Sequence, residues 1–138
     1  MNIRWAEIDE YPAVVGHYAA CGYGGGLNTQ DGVLVAVEQD NIIGAVRICR
    51  EQGVKLLRGM YIKQAFRGKG IGLAMLLYLE AQEDMAGCYC LPYGNLVRFY
   101  GNIGFEEISI AEAPGFLVDR LERYRNNGNR DIIIMQIK

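Results

Sequence analysis

Residues 62–72, Ile-Lys-Gln-Ala-Phe-Arg-Gly-Lys-Gly-Ile-Gly, carry the strongest chemical signal in the chain. An apolar, β-prone run (residues 54–62) passes into a glycine-rich turn and then into an apolar helical run (residues 70–84). The first amides of a helix have no acceptor inside it, and they lie at the positive end of its dipole. Such a turn is built to hold an anion, best a phosphate or diphosphate. Glycine lets the backbone approach that ligand because no Cβ intervenes. Lys69 adds a mobile positive charge. Arg67 either adds a second or braces the turn.

Three phosphate-binding patterns can be weighed against these residues. A P-loop ends in Gly-Lys-Ser/Thr, whereas Gly68-Lys69-Gly70-Ile71 offers no hydroxyl for magnesium, so a nucleotide triphosphatase is disfavoured. The dinucleotide fingerprint needs a third glycine where Leu73 stands. Arg-x-x-Gly-x-Gly at a strand–helix junction is satisfied in full by Arg67, Gly70 and Gly72. A second segment, residues 98–105 (Arg-Phe-Tyr-Gly-Asn-Ile-Gly-Phe), sets a tyrosine five residues before a phenylalanine. On its own Tyr100 there reads as a core aromatic at helical spacing beside Phe99.

Together, in this order, with one helix and one strand between them, the two motifs resemble the GNAT superfamily of acyl-CoA-dependent N-acetyltransferases. The first is similar to that family's Gln/Arg-x-x-Gly-x-Gly/Ala. The second is similar to its Phe/Leu-Tyr-x-x-x-Gly-Phe. The resemblance covers residues 30–110 well. It implies an α/β (α+β) fold with a mixed, mostly antiparallel central sheet of six to seven strands flanked by three to four helices, as one acetyltransferase domain over residues 1–138. It implies acetyl-CoA as co-substrate, with no metal, and acetyl transfer to a primary amine of a small molecule, peptide or protein. Met60, Tyr61 and Ile62 would offer backbone groups to the pantetheine arm, as in strand addition. Residues Gly68, Lys69, Gly70, Ile71, Gly72 and Leu73 would cap the diphosphate. Tyr100 would be the general acid for the departing thiolate, and the Ile62 amide would meet the developing oxyanion. Asn95, five residues before Tyr100, would bond the pantetheine or simply cap its helix. The strand 54–62 lacks the glutamate that many members use as base, and Arg58 on it reads as an exposed structural arginine or else hints at a substrate with a negative group. A non-catalytic acyl-CoA sensor is the alternative reading.

Composition sets outer bounds. The 138 residues are 51% hydrophobic and 22% charged, with a net charge of −2. That is ordinary for a globular domain with its own core. No long basic block is present, so a nucleic-acid partner is disfavoured. No apolar run reaches the ~20 residues of a membrane span. The first residues lack the apolar core of a signal peptide, so a cytoplasmic location is the expectation. Cys88 and Cys90 have the wrong spacing for a zinc pair and, with Cys21 and Cys49, read as buried small hydrophobes or, less simply, a reactive thiol.

The elements that must position the chemistry follow from periodicity and turn signals. Residues 3–8 read as a strand. Residues 11–21 read as a helix capped by Asp9, with Pro12 in its first turn. The glycine-rich segment 22–26 is a lid or a plain linker. Residues 33–38, 42–51 and 54–62 form a three-strand meander, turning at Asp40-Asn41 and Gln52-Gly53. After the helix 70–84 come a short strand (88–92), a helix (95–103), a strand (105–110), an amphipathic helix (116–126) and an apolar last strand (131–137). In the helix 116–126, Leu117, Leu121 and Tyr124 form the apolar face and Arg120 is solvated. The last strand either is internal or supports a homodimer; otherwise the chain is a monomer.

Overall fold

The computed structural model describes residues 1–24 and 26–138. Gly25, inside the segment read as lid or linker, lies outside the described residues. Seven strands form one sheet in the order β1-β2-β3-β4-β5-β7-β6. They are β1 (Asn2–Trp5), β2 (Gly32–Glu38), β3 (Asn41–Glu51), β4 (Val54–Ile62), β5 (Tyr89–Cys90), β6 (Phe105–Glu107) and β7 (Met135–Ile137). All neighbouring pairs are antiparallel except β4 with β5. Four helices complete the chain: α1 (Tyr11–Ala20), α2 (Ile71–Gln82), α3 (Val97–Gly101) and α4 (Gly115–Asn126).

The long strands are apolar on both faces because helices cover both faces. On one face, α2 sets Met75, Leu76 and Leu79 against Leu34, Val46 and Leu57. On the other, α1 brings Val14 and Tyr18 onto Val33, Val35 and Ala45. Beside α1, α4 brings Leu117 and Leu121 onto Cys49 and Leu56. Each of these fully buried aliphatic side chains contributes about 1.5–3 kcal/mol. The helix α2 is apolar nearly all round, yet Leu77 is 46% exposed. One stripe of α2 packs; the rest faces outward.

Several boundaries differ from the sequence reading, each for a local reason. The first strand stops at Trp5, because Ile8–Glu10 form a 3-10 turn closed by a capping box between Glu7 and Glu10. Glu10 also takes a bidentate pair from Arg4, at 2.7 and 2.9 Å. Asp9 therefore sits inside that turn and does not cap α1. The first hairpin turns at Gln39-Asp40, one residue earlier than Asp40-Asn41. Both residues adopt positive φ (49° and 66°), which matches the twist of a two-residue hairpin. The late strands are shorter than expected. Residues 131–134 lie outside the named strand: Ile132 makes an isolated antiparallel bridge with Tyr93, and Ile133 donates its amide to the Pro92 carbonyl at 3.0 Å.

Candidate active site

A cleft opens where β4 and β5 part. Their register holds a single pair, Leu56 with Tyr89. β5 ends at Cys90 and the chain turns away through Pro92, while β4 continues to Ile62. The resulting wedge has a volume of about 930 Å³. A bulge shapes its β4 wall. Ala45 opposes Tyr61 and Arg47 opposes Arg58, so β4 carries one residue more than β3 across that interval. Gly59 occupies it with φ +66°. Bulges of this kind re-aim backbone groups and side chains.

Beyond the bulge the main chain faces the wedge. Lys63 donates its amide to the Ile43 carbonyl at 2.8 Å. Successive pairs alternate in an antiparallel ladder, so the amide and carbonyl of Ile62, opposite Gly44, point away from β3 and into the cleft. Arg67 Nε donates to the Ile62 carbonyl at 2.9 Å. Arg67 thus braces the turn, which leaves the Ile62 amide as the open donor.

The glycine turn sits at the end of this wall. The Arg67 amide returns to the Gln64 carbonyl at 3.2 Å, and the Ala74 amide to the Gly70 carbonyl at 3.0 Å. Between them, the amides of residues 68–73 find no acceptor among the described residues. The glycines there serve different ends. Gly70 takes a left-handed φ of +80° with nothing within 4 Å of where a Cβ would stand, whereas a Cβ on Gly72 would meet the Phe99 ring at 3.0 Å. Gly70 is needed for conformation, and Gly72 for the approach of α3 to α2.

Tyr100 stands in the same cleft, 6% exposed. Its ring meets Phe99 and Phe105 edge-on, with centroids 4.9 and 5.9 Å away. Burial raises its pKa above the ordinary phenol range, so the hydroxyl stays protonated. Met60, Tyr61, Ile62, Arg67, Gly68, Gly70, Ile71, Gly72 and Leu73 join it around the cleft. Two expected site residues do not. Lys69 lies with its Nζ over the Phe66 ring, 5.6 Å from the centroid. Asn95 is exposed, lies in the 3-10 turn Gly94–Leu96, and borders a separate surface hollow with Arg130 and Asp131. It caps neither that turn nor α3, because the helix starts two residues later than its sequence predicts.

The end of the cleft before the bulge holds Arg58, noted from the sequence, and other residues that were not legible as site residues. Arg120 of α4, read as solvated, lies in the wall and clasps Glu51 with both arms, at 2.7 and 2.9 Å. This contact holds the Glu51 carboxyl below the usual range. Arg58 reaches the same carboxylate only at 3.6 Å. Tyr23 stacks on Tyr61 at 4.7 Å and accepts a hydrogen bond from Arg47 at 2.8 Å. Arg47 is 1% exposed and pairs with Asp31 at 3.0 Å. Behind this group His17 sits buried on α1, its Nε2 2.9 Å from the Tyr61 carbonyl. Burial lowers its pKa, so the ring is neutral and Nε2–H is the donor. A helical spacing signal existed for one of these residues. Arg120 precedes Tyr124 by four positions and flanks the buried stripe of Leu117 and Leu121, so both reach the same side of α4.

A family model described as an acetyltransferase (GNAT) domain matches residues 29–107, more than half of the chain. No curated protein matches it. Among solved structures, Rv2747 from Mycobacterium tuberculosis in complex with CoA and NLQ is similar at a TM-score of 0.69 and 18% identity, over 99% of this chain and 98% of that one. An aminoglycoside 6'-N-acetyltransferase complexed with coenzyme A is similar at 0.67 and 17%, over 98% and 95%. N-acetylglutamate synthase from Neisseria gonorrhoeae, complexed with coenzyme A and N-acetyl-glutamate, is similar at 0.66 and 16%. There the match spans 98% of this chain but 34% of that one. At these identities the likeness is one of fold, and the mixed, mostly antiparallel seven-stranded sheet with four helices is that fold. By its family match, with the parted β4 and β5 and the glycine turn in their expected places, the chain belongs to the GNAT acetyltransferase family.

Proposed function

We propose that the chain transfers an acetyl group from acetyl-CoA to a primary amine by direct attack, with Tyr100 as general acid, the whole chain acting as one catalytic domain. The observation that carries this reading is that one cleft joins the unoccupied amides of the turn to the phenol of Tyr100. The diphosphate rests on the amides of residues 68–73. The pantetheine arm adds itself along Met60, Tyr61 and Ile62, where β5 has left the outer edge of β4, and with it the Ile62 amide, open; the Tyr61 carbonyl is taken by His17 and the Ile62 carbonyl by Arg67. This places the thioester beside Tyr100.

The reaction then balances as follows. The amine nitrogen attacks the thioester carbon, and the N–C bond forms. The carbonyl oxygen gains negative charge opposite the Ile62 amide. The C–S bond breaks, its electron pair leaves on sulfur, and the Tyr100 hydroxyl protonates that sulfur. The proton lost by the amine passes to solvent, and solvent restores the phenol. No acidic side chain lies among the described residues of the cleft, so amine deprotonation runs through water.

Replacing Tyr100 with phenylalanine tests the assignment. The variant should bind acetyl-CoA with unchanged affinity by calorimetry while kcat falls about 10²- to 10⁴-fold. Unchanged turnover would remove Tyr100 from the chemistry. If no amine speeds CoA release in the unaltered protein, a non-catalytic acyl-CoA sensor becomes the better reading.

A further inference from the structure

From the charges at the far end of the cleft we infer that the acceptor is an α-amino acid or a close analogue, with Arg58 holding its carboxylate; this rests on the transferase reading above. Arg47 and Arg58 are cross-strand partners and so lie on one face of the sheet, where like charges directly opposite repel. Arg120 approaches the same face from α4. Three guanidinia thus meet there, and two carboxylates answer them. Asp31 is taken by Arg47 at 3.0 Å. Glu51 is taken in bidentate fashion by Arg120.

Arg58 is the guanidinium left over. Among the described residues its sole ion pair is the 3.6 Å approach to Glu51, too long for a hydrogen bond. Its side chain is only 28% exposed, and it lines the cleft. A half-buried fork of N–H donors without acceptors matches a carboxylate in shape and charge. The same surroundings repel an acceptor that brings only positive charge, because no acidic side chain lines the cleft among the described residues.

The chemistry of the amine points the same way. Without a carboxylate base, the acceptor must lose its proton to water. The α-amine of an amino acid is a weaker base than a lysine side chain, at about 10.4, and does this more readily. Nearby guanidinia favour the neutral amine further. Distance is compatible as well. Arg58 precedes Ile62 by four residues on β4, roughly 13 Å at ~3.3 Å per residue, less the local kink of the bulge. A small amino acid laid along Tyr61 and Tyr23 bridges part of that span and leaves its amine near the thioester.

The test pairs common α-amino acids with the amines that lack only their carboxylate, such as phenylalanine with phenethylamine and leucine with isoamylamine. CoA release gives kcat/KM, and calorimetry of the CoA-loaded protein with the matching N-acetyl compounds reads binding without turnover. The carboxylate members should be favoured about 10- to 100-fold, the size of a charge-assisted hydrogen bond in a dry site. Arg58→Gln should bring that ratio close to one while acetyl-CoA still binds. Should Arg58→Gln fail to bind acetyl-CoA, Arg58→Lys is read in its place and should give an intermediate ratio. Equal or better use of the decarboxylated amines, or a preference that survives loss of Arg58, overturns the assignment and leaves the transferase standing. Arg58-dependent binding of N-acetyl amino acids with no amine ever accelerating CoA release upholds the carboxylate site and removes the transferase reading. Absence of both binding and turnover removes both.

Discussion

Tyr100 and Cys90 show what burial does to a phenol and to a thiol in the same wall. Burial disfavours the charged form of each, so the phenol keeps its proton and a thiol resists losing one. A loss of activity at alkaline pH is therefore not expected from Tyr100 within the ordinary phenol range. His17 makes the opposite case. Its neutral ring donates to the Tyr61 carbonyl, and burial lowers its pKa from 6.5. In the unfolded chain it takes up a proton as pH falls through 6.5, while the folded protein resists until lower pH. Stability contributed by this group is thus fully present above 6.5 and is lost progressively below it. Chemical denaturation of the unaltered protein should show that decline. His17→Gln keeps a donor for the carbonyl but cannot titrate, and its stability should decline less between about pH 6.5 and 5, above the range where carboxylates take up protons; an identical slope in both proteins would rule His17 out as its source.

At the scale of elements, the bulge in β4 does most to shape the cleft. Gly59 carries a φ of +66°, and a Cβ there would stand 2.9 Å from the Tyr18 hydroxyl. Gly59→Ala should cost about 1–2 kcal/mol from the left-handed backbone alone, with further loss from crowding Tyr18, measured as a lower denaturation midpoint. A stability within about 0.5 kcal/mol of the parent, the range of a neutral surface change, would mean that the bulge tolerates a side chain. The sequence announces the central meander clearly, since two-residue turns and continuous apolar strands are local signals. It announces the glycine turn equally well. The bulge is not legible, because an isolated glycine in a strand marks either a kink or a weak point. The lengths of β5, β6 and β7 are not legible either: residues 131–134 read as strand by composition, but their hydrogen bonds go to Pro92 and neighbouring turns.

For the molecule as a whole, function depends on a sheet whose two faces are covered and whose middle is split. Helices α1, α2 and α4 cover the strands, and the parting of β4 from β5 opens a path from the glycine turn to the arginine cluster. The turn end of that path was readable from one motif. The far end was not, because its pairs are remote in sequence: Arg120 and Glu51 are 69 residues apart, and Arg47 and Asp31 are 16 apart. Each looks like an ordinary surface charge until the fold brings its partner. A crystal structure with acetyl-CoA bound tests the central claim most directly. The diphosphate oxygens should lie within ~3.2 Å of amide nitrogens in residues 68–73, with the acetyl oxygen toward the Ile62 amide and the sulfur beside the Tyr100 hydroxyl. A cofactor bound elsewhere, or one whose sulfur lies across the cleft from Tyr100, would contradict it.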